Sequence, residues 1–171
     1  MRMITAFKKQ VIMLNLNSGT SDSNNLEELL HVLLNDIPDL IIFKDGEGRW
    51  ITASKFAESL FGLENLQYIG KTSQELSQLS PIRQYRDILL FRQEADEKVW
   101  NAKKMIRSEV EFPLLNGRSV VLDVIATPVF NSDGSRKALV VIGRDITEQK
   151  IAEKKNFQLA YYDPLTQLPN R

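Results

Sequence analysis

Apolar residues recur at helical spacing in two segments of the chain. The first segment covers residues 26–37 and ends at Pro38, whose ring cannot donate a backbone hydrogen bond. The second covers residues 82–100. Between these segments, Ser54 is a candidate N-cap for a short helix, and residues 62–80 are typical of helical turns and loop. The pattern therefore predicts two longer helices separated by shorter ones.

Runs of β-forming residues flank sequences that favour tight turns. Residues 40–44 and 50–52 surround Asp-Gly-Glu-Gly, which is typical of a hairpin. Strands are expected at 105–112, 119–130 and 138–142, separated by turns that contain Asn-Gly and Asn-Ser-Asp-Gly. The longest of these alternates, and its even-numbered positions are the more apolar. The order of elements predicts an α+β fold in which helices cover one face of a five-stranded antiparallel sheet.

Composition narrows the chemistry that the chain can perform. Its 171 residues contain 22 basic and 22 acidic side chains, one histidine and no cysteine. Without cysteine there is no disulfide framework, thiolate zinc site or cysteine nucleophile. Balanced charge argues against a nucleic-acid partner, and no apolar run reaches the roughly 20 residues that cross a bilayer. We therefore expect a cytoplasmic protein without membrane contact in this segment.

Three segments together resemble a PAS domain. Residues 37–54 (IPDLIIFKDGEGRWITAS) resemble its opening hairpin, and residues 61–76 (FGLENLQYIGKTSQEL) resemble its short-helix region. Residues 116–147 resemble its closing three-stranded meander, and the final Asp-Ile-Thr matches the junction where PAS domains meet an output helix. The resemblance covers about residues 26–147 and implies the PAS fold.

The last thirteen residues, LAYYDPLTQLPNR, are similar to the start of a GGDEF domain, the diguanylate cyclase module. The matching positions are Asp163, Leu165, Thr166, Leu168, Pro169, Asn170 and Arg171. Gln167 stands where glycine is more usual. The expected organisation is an N-terminal tail (1–25), a PAS domain (26–147), a signalling linker helix (148–162) and the truncated start of a GGDEF domain (163–171).

The two resemblances imply a regulatory domain with no catalytic residues of its own. It would bind an unidentified small ligand, form a homodimer and control, through its C-terminal helix, a GGDEF domain in the same polypeptide that makes cyclic di-GMP from GTP. Two alternatives stay open. In the first alternative the chain is a ligand-free dimerisation scaffold. In the second it is the input domain of a GGDEF-EAL cyclic di-GMP phosphodiesterase.

A PAS fold implies a cavity between its sheet and its helices. Ordinary core packing is the competing explanation for each of the apolar side chains that would line it. The candidates are Ile41, Phe43, Phe56, Phe61, Ile69, Leu89, Phe112, Leu122, Val124 and Ile142.

The ligand itself is unknown from the sequence. Haem is disfavoured because residues 82–100 lack histidine, and His31 is expected at the surface. Cysteinyl-flavin is excluded, whereas a non-covalent flavin or a small metabolite is compatible with the sequence. Arg83, Arg86 and Arg107 are candidates to clamp a carboxylate, with surface ion pairing as the alternative. No paired metal ligands are recognisable.

The linker carries the expected signal relay. Asp145 and Thr147 would join the last strand to the helix, and each is a candidate for its N-cap. A weak coiled-coil seam is formed by Gln149, Ala152, Asn156 and Leu159. A buried polar residue such as Asn156 can fix register while lowering stability, which suits a helix that shifts between states.

Overall fold

The computed structural model describes residue 32 and residues 34–161. The predicted tail (1–25), His31 and residues 163–171 lie outside these residues, as does most of the helix predicted at 26–37. Within the described part of the chain there are five strands and four helices. In chain order they are β1 (Leu40–Asp45), β2 (Trp50–Ala53), α1 (Lys55–Phe61), α2 (Ser73–Leu79), α3 (Arg83–Ala102), β3 (Ile106–Pro113), β4 (Ser119–Phe130), β5 (Arg136–Asp145) and α4 (Thr147–Tyr161).

The five strands form one antiparallel sheet in the order β2-β1-β5-β4-β3, which confirms the predicted α+β architecture. The opening hairpin and the closing meander meet where β1 pairs with β5, because Leu40 lies opposite Gly143. The two strands pack closely at Gly143, since a Cβ there would lie 3.3 Å from Val124 and 3.4 Å from Leu40. The opening hairpin and the closing meander are thus joined by closely packed neighbouring strands.

One face of the sheet carries the core. Even-numbered residues of β4, such as Leu122 and Val124, are buried and belong to the same apolar cluster as Leu40 and Ile42 of β1. Helices α1, α2 and α3 supply the other side of this cluster through residues such as Leu89. The predicted alternation in residues 119–130 is therefore confirmed.

Local sequence explains where the short helices begin and end. The Ser54 hydroxyl accepts a hydrogen bond from the backbone of Ala57 and so caps α1, as predicted. α1 ends at Gly62, whose φ of 65° is unfavourable for any residue with a side chain. Helix α2 begins with a capping box between Thr72 and Glu75, within the segment predicted to form helical turns and loop.

Candidate functional site

The space between the sheet and its helices contains six of the ten predicted cavity residues. Five are buried, with exposures between 0% and 3%, and the sixth, Phe56, packs partly buried against the same cluster. The six are Phe56, Phe61, Leu89, Phe112, Leu122 and Val124. They occupy the expected face, and their contact with a ligand stays a prediction.

The other four predicted cavity residues lie elsewhere, and this corrects the sequence analysis. Ile41 and Phe43 alternate with the buried core positions of β1, so their side chains point to the opposite face of the sheet. Ile142 pairs with Ile41 on that outer face and is 46% exposed. Ile69 lies in a loop and is 40% exposed. None of these four side chains lines the space between the sheet and the helices.

Aromatic rings fill much of that space. Trp50 is fully buried and meets Phe61 and Tyr68 edge-on, with ring centroids 5.5 and 6.1 Å away. Phe61 makes a similar contact with Phe112 at 6.1 Å. Such edge-to-face contacts are the arrangement that the charge distribution of aromatic rings favours. The rings pack against one another and form the apolar wall of the candidate site.

A charged cluster lies within the same core, and the sequence analysis did not identify it. Lys44 of β1 is 1% exposed, and its ammonium group contacts a carboxylate oxygen of Asp96 at 2.5 Å. The other oxygen of Asp96 accepts a hydrogen bond from Arg92 at 3.0 Å. The Lys44 ammonium also donates to Ser73 at 2.8 Å and lies 4.7 Å from the centre of the Trp50 ring.

Burial dominates the electrostatics of this cluster. Loss of water lowers the pKa of Lys44 below its usual value of 10.5, the nearby Asp96 carboxylate opposes that change, and Arg92 adds to it. Alternation along β1 places Lys44 on the same face as Leu40, but residues 40–43 are apolar at every position, so the sequence alone does not show which face is buried. The four-residue spacing of Arg92 and Asp96 in α3 indicates an ion pair within the helix but not its burial.

Two surface clefts border the core. The first, of about 630 Å³, separates the first half of α3 from β3 and is lined by Ile88, Phe91, Val110 and Phe112 among others. The second, of about 580 Å³, lies beside the start of α4 and includes Phe56 in its wall. Ile88 and Phe112 also belong to the buried core, so the first cleft reaches the edge of the interior.

The junction between β5 and α4 is held by hydrogen bonds to β4. The Asp145 carboxylate accepts from the backbone N–H of Thr147 at 2.8 Å and from its hydroxyl at 2.5 Å. The Thr147 hydroxyl oxygen in turn accepts from the backbone N–H of Val121 at 2.9 Å. The carbonyl of Val121 accepts from the N–H of Ile146, also at 2.9 Å. Both predicted relay residues therefore lie in one hydrogen-bond network with β4.

Beyond its first turn, α4 is exposed within the described part of the chain. Ile151, Phe157 and Tyr161 are 63%, 57% and 58% exposed, and the rings of Phe157 and Tyr161 pack together at 4.5 Å. Asn156, the third relay candidate, is exposed as well. The remaining members of the predicted seam are exposed at Gln149 and Ala152, while the side chain of Leu159 lies outside the described residues.

The three arginines predicted as a carboxylate clamp do not converge. Arg83 is paired with Asp87 on the same helix, and Arg86 donates to two backbone carbonyls. Arg107 binds Asp123 with two hydrogen bonds of 2.7 and 2.8 Å on the outer face of the sheet. In residues 32 and 34–161, no group of three or more histidine, cysteine, aspartate or glutamate side chains could hold a metal ion. None of the helices described has the length and apolar character needed to cross a bilayer.

A family model described as the PAS fold matches residues 34–151, and the chain belongs to this family. No curated protein matches the chain. Among solved structures, the PAS domain of Bordetella pertussis BvgS is 22% identical with a TM-score of 0.56, and the match covers 81% of this chain and 98% of that one.

Matches to larger proteins show the same fold. The phage VqmA–DPO complex is 19% identical with a TM-score of 0.57, and the match covers 83% of this chain and 62% of that one. The Vibrio cholerae VqmA dimer is 20% identical with a TM-score of 0.55, with coverages of 71% and 52%. The chain thus spans about half to two thirds of the VqmA chains that it matches. At these identities the likeness concerns the fold.

Proposed function

We propose that this PAS domain is a sensor and dimerisation domain that controls, through α4, a diguanylate cyclase domain farther along the same polypeptide. The observation that carries the proposal is the junction: α4 follows β5 directly and is hydrogen-bonded to β4 at Val121. The similarity of residues 159–171 to the start of a GGDEF domain supports the identity of the output. The chain itself would perform no catalysis.

The geometry of the junction supports control of the output by the sheet. Both backbone groups of Val121 are bonded to the residues that begin α4, and Lys150 adds an ion pair of 2.8 Å to Glu109 of β3. A change in the twist or position of β4 would therefore move the first turn of the helix. Rigid elements joined by such a network can carry a coupling free energy from one site to another.

Dimerisation through α4 is the second part of the proposal. The exposed apolar side chains of Ile151, Phe157 and Tyr161 would be covered by a second copy of the helix. A Vibrio cholerae VqmA of the same fold is described as a dimer, which supports dimerisation itself by analogy. In the resembling family two GGDEF domains must meet to condense two GTP molecules. A paired helix would set their relative orientation.

Binding of a small molecule is the third part. The aromatic wall, the buried charges and the cleft beside Ile88 offer contacts for one, and a VqmA of the same fold is found in complex with DPO. The candidate ligands are a non-covalent flavin and a small metabolite. Comparison of native and denaturing mass spectra, together with an absorption spectrum, tests this part. A mass excess lost on denaturation supports a ligand sensor, whereas a ligand-free dimer mass favours the scaffold.

The relay is tested by Asp145→Ala in the protein that includes the following domain. Asp133 provides a matched control, because its carboxylate makes the same two bonds to Ser135, at 2.8 and 2.6 Å, in the distant β4–β5 turn. Asp145→Ala should change the rate of cyclic di-GMP formation from GTP, and Asp133→Ala should not. Equal rates in both variants and the unsubstituted protein would contradict the relay. Hydrolysis of added cyclic di-GMP, without its formation, would favour the GGDEF-EAL alternative.

A further inference from the structure

The buried cluster around Lys44 leaves one hydrogen-bond donor without a partner within the described residues. One oxygen of Asp96 is taken by Lys44 and the other by Arg92. Ser73 accepts from both the Lys44 ammonium and the indole N–H of Trp50, at 2.8 and 3.0 Å. Within the described residues, Nε of Arg92 is buried and has no hydrogen-bond partner. A bound group that supplies acceptor atoms would complete this arrangement.

The charge balance of the cluster also favours a bound anionic group. Two cations, Lys44 and Arg92, share one carboxylate, Asp96, and all three residues are at least 95% buried. A net positive charge in a water-poor interior is unfavourable, and a single negative charge brought by a ligand would neutralise it. An arginine whose guanidinium group is only partly used is suited to a carboxylate, because its planar N–H groups match the two carboxylate oxygens.

The cleft between α3 and β3 borders the same inward face of α3 that carries Arg92. Ile88, one helical turn before Arg92 on the inward face of α3, lines the cleft between α3 and β3. Phe91 and Val110 in the same cleft would contact the apolar part of a ligand. Ile88 and Phe112 form the inner edge of the cleft, so their side chains separate it from the interior. No residue of the cluster lines either described cleft, so entry of a ligand requires core side chains near Ile88 to move.

We propose that the cluster of Lys44, Arg92, Asp96 and Ser73 binds a small monocarboxylate whose carboxylate pairs with the guanidinium group of Arg92. This rests on the ligand-sensing part of the proposed function and specifies its chemistry. Trp50 joins the cluster through its hydrogen bond to Ser73, and its indole N–H therefore reports on occupation of the site. Trp100, one helical turn beyond Asp96, packs against Phe130 and serves as the comparison signal.

The test follows the two indole N–H signals in ¹H–¹⁵N spectra of the purified chain, assigned with Trp100→Phe. Acetate and benzoate are the probes, benzamide is the uncharged control, and sodium chloride at the same concentration controls for ionic strength. Benzoate should shift the Trp50 signal saturably, with at least about tenfold weaker binding of benzamide. Failure of both carboxylates to produce a saturable shift, or an equal shift with sodium chloride, would overturn the proposal.

Substitution of Arg92 then locates the site. Arg92→Met should abolish the benzoate shift, whereas Arg107→Met, which removes a surface arginine paired with Asp123, should retain it. If Arg92→Met does not fold, Arg92→Lys takes its place, and binding should weaken because the planar fork is lost. An unchanged benzoate shift in the Arg92 variant would overturn the assignment. This result would leave control through α4 untouched, since the Asp145→Ala experiment tests that part separately.

Discussion

Removal of the Asp96 carboxylate should destabilise the fold more than removal of either cation that it pairs with. Asp96→Asn would leave Lys44 and Arg92 as two buried cations without a negative partner. Loss of one member of a buried ion pair costs about 3–5 kcal/mol in free energy of unfolding. Lys44→Met leaves the pair between Arg92 and Asp96 intact and removes an ammonium group that burial already disfavours. The decrease in free energy of unfolding for Lys44→Met should be less than about half of that for Asp96→Asn.

Urea unfolding of the purified chain, followed by tryptophan fluorescence, measures both losses. For an m value of about 2 kcal/mol per M, Asp96→Asn should lower the midpoint by about 2 M. Asp123→Asn is the matched control, because Asp123 also pairs with an arginine but lies on the exposed outer face. Its effect should be much smaller, since water screens exposed pairs.

Two results would refute this reasoning. A loss below about 1 kcal/mol for Asp96→Asn would equal the value of an exposed ion pair and would show that the cluster is hydrated. A larger loss for Lys44→Met than for Asp96→Asn would show that the ammonium, and not the carboxylate, holds the cluster together. The double variant closes the thermodynamic cycle and gives the coupling of the two groups directly.

Three further outcomes follow from single groups. The pKa of Lys44 is lowered below 10.5 in the folded chain, so the unfolded chain binds the Lys44 proton more tightly. The free energy of unfolding should therefore rise with pH from the folded pKa towards 10.5. Urea titrations at several pH values should show this rise in the unsubstituted chain and not in Lys44→Met. Gly62→Ala places a Cβ 2.2 Å from the Tyr85 ring at φ 65° and should lower the free energy of unfolding by about 3 kcal/mol. Gly70→Ala, whose Cβ would have no atom within 4 Å, should lower it by about 1 kcal/mol. Equal decreases for the two variants would contradict the clash with Tyr85. Ser54→Ala leaves two backbone N–H groups without their acceptor, so the unfolding free energy should fall by about 1–3 kcal/mol; an unchanged value would mean that these groups find other partners.

The sheet was predictable because its information is local. Turn residues such as Asn116-Gly117 and the alternation in β4 specify strand ends and faces without knowledge of the rest of the molecule. The face of β1 was not predictable in this way, because residues 40–43 are apolar at every position. The cavity candidates on the outer face, Ile41 and Phe43, came from that ambiguity. The structure resolves this ambiguity, because Lys44 lies buried on the same face of β1 as the core residues Leu40 and Ile42.

The charged cluster was hidden for a different reason. The second half of α3, residues 92–98, is rich in both charges, and such a run usually forms a solvated helix face. Burial of Arg92 and Asp96 becomes evident only when α2 and β1 pack on the same side of the helix and bring Ser73 and Lys44 to them. Pairing across 52 residues of sequence leaves no local pattern. Contacts of this kind require the tertiary structure.

The charged cluster and the output helix are connected by a single strand. Lys44 of β1 lies opposite Leu139 near the start of β5, and the last residue of β5, Asp145, anchors α4. A buried ion cluster adds little stability compared with apolar side chains of similar volume, so stability alone does not explain it. A ligand that pairs with Arg92 would change the charge balance at one end of β5 while the other end holds the helix. The strand thus offers the physical connection that ligand-dependent control of α4 requires, and coupling would exist only to the extent that the ligand favours one of two arrangements of that strand.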